Sequence, residues 1–126
     1  MAVRTVFAEP VAERVSLRYR ATLKKEDDTA LAAAELSTLT LTIYALDAAR
    51  TIVNAVTTVN ILNTGRGTID AAGLLTLILT PDDNQILDST LPEERHVLLM
   101  QGTYASGVKA TRHEVVVTVL NLGKVP

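Results

Sequence analysis

The stretch that decides the fold is ERHVLLMQGTYASGVKATRHEVVVTVL, residues 94–120. It holds two β-rich runs, Arg95–Tyr104 and Arg112–Leu120, joined by a polar connector, Ala105–Thr111, that contains Ser106-Gly107. Side chains alternate across a strand. The first run therefore puts His96, Leu98, Met100 and Tyr104 on one face and Val97, Leu99 and Gln101 on the other. The second puts Val115, Val117 and Val119 on one face and Val116, Thr118 and Leu120 on the other. Apolar residues on both sides are the pattern of a central antiparallel hairpin. Neither run has the make-up of a catalytic centre.

Upstream the alternation recurs. Arg14–Leu23 reads as a strand with Val15, Leu17, Tyr19, Ala21 and Leu23 facing one way. Lys24–Asp28 is a charged turn, and the alanine-rich Ala30–Leu36 has room for one helical turn. Ser37–Leu46 sets Leu39, Leu41, Ile43 and Ala45 against Thr38, Thr40, Thr42 and Tyr44, the threonines suiting a solvated pleat. Asp47–Arg50 reads as a turn and Thr51–Val56 as a partner strand; Thr57–Thr64 is ambiguous, and Gly65-Arg66-Gly67 breaks the chain. Thr68–Ile69 starts a short strand, Asp70–Gly73 turns, and Leu74–Leu79 is a further strand. Thr80 then reads as a helix N-cap, with Pro81 first and an acid third. That predicts a short helical turn over residues 81–88 with Ile86 and Leu87 inward.

The sum is about seven strands, no long helix and turns about every 8–12 residues. This is the signature of an all-β, immunoglobulin-like antiparallel β-sandwich, with a barrel as the alternative. Residues 1–12 read as an N-terminal arm with a short edge strand, 13–122 as the sandwich domain and 123–126 as a C-terminal tail.

Composition narrows the function classes. The 126 residues make one domain, long enough to bury roughly two thirds of its unfolded surface. With no cysteine, a disulfide framework and a thiolate metal site are both excluded, and a reducing compartment fits. A net charge of −2 argues against bulk nucleic-acid binding. The opening Met1-Ala2-Val3-Arg4-Thr5 lacks the apolar core of a signal peptide, and no apolar run approaches the roughly 18–20 residues of a membrane span. Aromatic residues are 3% of the chain, thin for a base-stacking platform or a sugar site.

Several constellations invite a chemical reading and are better explained structurally. His96 and His113 share the hairpin, with Glu114 nearby, but their spacing matches no metal-ligand motif. Asp27-Asp28 reads as a polar turn and Asp82-Asp83-Asn84 as helix capping rather than calcium binding. No serine sits in a G-x-S-x-G elbow, and Gly65-Arg66-Gly67 is too short for a phosphate cradle. The expectation is a protein that is not an enzyme and has no cofactor.

Contact surfaces are the more informative signal. Val97, Leu99, Val116 and Leu120 lie on the outer hairpin face, where a free two-layer sandwich would leave them exposed together. Val3, Val6 and Phe7 of the arm need a surface to lie on. Either these two sets meet partners, or the arm or the alanine-rich segment covers the hairpin within the chain. Arg14, Arg18 and Arg20 line one face of a strand. A solvated face that protects a strand edge is preferred there to an electrostatic rim.

The order of signals also resembles a known group. The turn Lys25-Glu26-Asp27-Asp28 precedes Leu39-Thr40-Leu41-Thr42-Ile43-Tyr44. Then come Ile69-Asp70-Ala71-Ala72-Gly73-Leu74-Leu75-Thr76, Leu79-Thr80-Pro81-Asp82, and Arg112-His113-Glu114-Val115 leading to Val119-Leu120-Asn121-Leu122. This resembles small immunoglobulin-like structural proteins of tailed bacteriophages and, more loosely, the N-terminal sandwich of phage baseplate upper proteins. The likeness spans residues 14–122. It implies a virion component made in the bacterial host cytoplasm, a head decoration or a head–tail or tail accessory protein. Other virion proteins would be its partners, in an oligomer, without direct nucleic-acid or membrane contact. No catalytic residue is carried over from that group. The alternative is an adhesion module holding host surface carbohydrate through the loops Asn54–Gly67 and Ala105–Thr111.

Overall fold

The computed structural model describes residues 2–6, 10–47, 49–88 and 90–122, with side chains from Val6 onward. Its strands in chain order are β1 (Ala2–Val6), β2 (Val11–Ala12), β3 (Leu17–Thr22), β4 (Leu36–Ala45) and β5 (Val59–Asn60). There follow β6 (Gly67–Ile69), β7 (Leu74–Leu79), β8 (Glu93–Tyr104) and β9 (Lys109–Leu120). Two short 3-10 turns, Ala33–Glu35 and Pro81–Asn84, are the helical elements among the described residues.

The hairpin is the backbone of the larger sheet. β8 and β9 pair without a slip from Glu93 opposite Leu120 to Tyr104 opposite Lys109. The pairing therefore runs through Lys109–Thr111, which the sequence assigned to the connector. Ala105, Ser106 and Gly107 take positive φ values of 53°, 57° and 84°, which turns the chain within residues 105–108. β4 pairs antiparallel with β8, and β5 with β4. The smaller sheet has the order β3-β7-β6. The seven strands β3–β9 thus split between two sheets as an immunoglobulin-like sandwich does.

The arm completes the larger sheet instead of standing apart from it. β1 and β2 both pair parallel with β9, Val3 opposite His113 and Val11 opposite Val119. The sandwich is therefore not wholly antiparallel, and Ala2–Val6 and Val11–Ala12 share its sheet.

Between the sheets lies one apolar core. Leu39, Leu41 and Ile43 of β4 and Val115, Val117 and Val119 of β9 meet Leu75, Leu77 and Leu79 of β7, all fully buried or nearly so. Burying each such side chain contributes about 1.5–3 kcal/mol. Gly67 fits where it does because a Cβ there would overlap the carbonyl oxygen of Ile61 and lie 2.7 Å from that residue's Cβ.

Three local expectations change. The strand expected at Arg14 begins at Leu17, because Arg14 takes φ 60° and turns the chain. Thr51–Val56 is no strand: Arg50, Asn54 and Ala55 all have positive φ, and a single bridge, Tyr44 to Ile52, is made there. The partner of β4 is instead Val59–Asn60. The turn after Thr80 is four residues of 3-10 helix, so Leu87 lies outside it and is exposed, while Ile86 packs on the core. Its cap follows the sequence reading, with Asp83 Oδ2 accepting from the Thr80 backbone N–H at 2.8 Å.

Candidate interaction site

The outer face of the larger sheet has two unlike halves. At one, Tyr44, Val97 and Val116 form a second buried cluster with Leu99 packed beside it. Register explains the grouping, since Val97 stands opposite Tyr44 on one side and Val116 on the other. The Arg50 guanidinium lies 5.7 Å from the centre of the Tyr44 ring and caps the cluster. Val97 and Val116 are consequently not exposed contact residues; their own chain buries them. Leu99 and Leu120 stay partly exposed. Tyr44, read as part of a polar face, is the residue that closes the cluster.

The other half is polar and open. Thr38, Thr40, Gln101, Thr103 and Arg112 border a shallow depression of about 530 Å³. Thr38 and Thr103 are joined across the strands, Oγ1 to Oγ1, at 2.7 Å.

Of the arm residues, Val6 stands on the edge strand and is 70% exposed. Phe7 and the side chain of Val3 lie outside the described residues.

The three arginines separate. Arg14 is engaged by Asp82, Nη1 to Oδ1 at 2.7 Å. Arg18 and Arg20 project from the outer face of the smaller sheet, opposite Ile78 and Thr76. Neither guanidinium has a hydrogen bond or ion pair among the described residues. Leu74 and Ile78, exposed on β7, share that face.

A cleft that sequence reading missed lies at the end of the larger sheet. It has a volume of about 590 Å³. Leu46 after β4 and Leu87 and Leu91 before β8 supply its apolar wall, each about two-fifths exposed. Asp47, Asp88, Glu93 and Glu94 bring four carboxylates against the one guanidinium of Arg95. Asp88 is held below the usual carboxylate range by hydrogen bonds from the Thr90 hydroxyl and N–H. Glu94 shapes the floor. It accepts from the backbone N–H of Leu87 at 2.9 Å and of Asp88 at 2.6 Å, which fixes the connector over the sheet end. The same carboxylate meets His96 Nε2 at 2.9 Å, and the buried Nδ1 of that ring has no hydrogen-bond partner among the described residues.

The two histidines do not converge. His96 stands opposite Val117 and His113 opposite Met100, which separates them by four residues along the hairpin. His113 Nε2 meets the Tyr19 hydroxyl at 2.9 Å, and burial holds its pKa below the ordinary histidine value. Among the described residues no group of three or more His, Asp or Glu side chains is placed to hold a metal.

The loops considered for carbohydrate are also apart. Asn54 and Arg66 are tied inward to Asp83, whereas residues 105–108 turn the hairpin with β4 lying between β5 and β8. No protein-family model, curated protein or solved structure matches the chain.

Proposed function

We propose that this chain is a non-enzymatic structural component of a tailed-phage virion, a head decoration or a head–tail or tail accessory protein that works through protein–protein contacts. The observation that carries the contact role is that apolar side chains are left unburied in groups on ordered structure. Leu46, Leu87 and Leu91 wall one cleft, and Leu74 and Ile78 share one strand face. Grouped exposure with a polar rim is the mark of an interaction surface. The placement in a phage particle rests on the sequence likeness over residues 14–122.

The test is the copy number per purified virion, by quantitative mass spectrometry against the major capsid protein. Hundreds of copies, in order of magnitude, mean head decoration; six to a few dozen, roughly, mean neck, tail or baseplate, as closed symmetric assemblies require. Absence from the particle overturns the reading.

A further inference from the structure

We propose that the outer face of the smaller sheet seats in the end cleft of a second copy of the chain, giving a head-to-tail contact. This deepens the structural reading above and rests on it for its biological setting.

The two surfaces fit in chemistry. On β7 the exposed Ile78 stands directly opposite Arg18, and Arg20 is diagonal to it. Leu74 continues the apolar row and the remaining outward strand residues are threonines, so no carboxylate of these three strands competes for the arginines. The cleft offers the converse: three leucines around a space large enough for a branched side chain, and an excess of carboxylates. Glu93 makes no ion pair among the described residues, and Asp47 and Asp88 accept from neutral threonine groups. Ile78 would enter between Leu46, Leu87 and Leu91 while Arg18 and Arg20 reach the rim acids.

Charge complementarity argues for a second copy as the occupant. The chain as a whole carries only −2, yet it bears an unpaired cationic face and a carboxylate-rich cleft on different parts of its surface. Such a distribution draws copies together with a set orientation. Because the two patches are different, the contact is heterologous, and repetition gives a ring or a filament, not a closed pair.

The experiment is sedimentation velocity on the purified chain and two variants, with circular dichroism to confirm their fold. R18E/R20E spoils the sheet face and leaves the cleft intact. L91K/E93K spoils the cleft and leaves the face intact. The wild-type chain is expected to associate with rising concentration, about tenfold more weakly at 0.5 M than at 0.05 M salt. Each folded variant alone is expected to be monomeric, and an equimolar mixture to associate again, the intact face of one variant meeting the intact cleft of the other. A mixture that stays monomeric while the wild type associates overturns the pairing of these surfaces. A wild type monomeric at millimolar concentration overturns the contact between copies and leaves the virion reading to the particle measurement. A variant that fails to fold is replaced by R18Q/R20Q or E93Q, for which a loss of the salt dependence is expected and its retention counts against the proposal.

Discussion

Arg66 and Asp83 meet twice, Nε to Oδ2 at 2.8 Å and Nη2 to Oδ1 at 3.1 Å. The carboxylate is shut off from solvent, and it also takes hydrogen bonds from Asn54 Nδ2 and the Thr80 N–H. One buried group thereby ties three connectors together.

Removing one partner of a buried pair strands the other, which costs about 3–5 kcal/mol. D83A is expected to lower the free energy of unfolding in urea by about 3 kcal/mol. R66A should act in the same direction, and the double variant should lose less than the sum, because the two changes remove one shared interaction.

The same carboxylate makes acid stability predictable. Burial acts to raise the Asp83 pKa, but the hydrogen bonds from Arg66, Asn54 and Thr80 outweigh it and hold it below the usual aspartate value. Its contribution is therefore present above the unfolded pKa, about 3.9, and lost as pH falls through the folded one. D83N should flatten the stability profile below about pH 4. His113 has the opposite charge logic. Its lowered pKa means that the unfolded chain takes up the proton first, so a cost sets in as pH falls through about 6.5. H113Q should remove that slope between pH 7 and 5 in urea titrations at stepped pH.

Val97 and Val116 report on internal packing. Valine to threonine is not a conservative exchange in a buried site, because it brings in a hydroxyl. V97T/V116T is expected to destabilise the chain by about 2–4 kcal/mol. The check is the urea midpoint, and an unchanged midpoint would show the cluster to be solvated.

Two glycines should differ sharply. At Gly67 an added methyl has no space beside Ile61, so G67A is expected to cost more than about 2 kcal/mol in thermal or urea unfolding. Gly107 has nothing within 4 Å of such a methyl, and its φ of 84° is a conformation that asparagine tolerates. G107N should cost less than G67A, about 1 kcal/mol, from the left-handed backbone alone.

Alternation made β4, β7 and the β8–β9 hairpin legible, because one face of β4, of β7 and of the second half of β9 is a row of leucine, isoleucine or valine, and β8 sets Leu98 and Met100 on its inward face. Residues 50–58 were not, since their apolar spacing imitates a strand while the backbone turns through positive φ at Asn54, Ala55 and Thr58. Spacing alone groups Arg14 with Arg18 and Arg20, whereas Asp82, far along the chain, draws Arg14 away. The end cleft was invisible for the same reason: Leu46 comes from one connector and Leu87 and Leu91 from another. Tyr44 alternates with solvated threonines in sequence, and only the register sets it against Val97.

The parallel seat of β1 on β9 also orders events in time. Ala2 faces Arg112 and Ala12 faces Leu120, so the ribosome finishes the arm long before it makes the strand that receives it. During synthesis β8 has neither its hairpin partner nor the arm beyond it, and the larger sheet can close only late, after a long loop has been drawn in. A nascent chain halted before Lys109 would carry an open β8 edge together with an unplaced arm, a pair of features that invites pairing with a neighbouring chain.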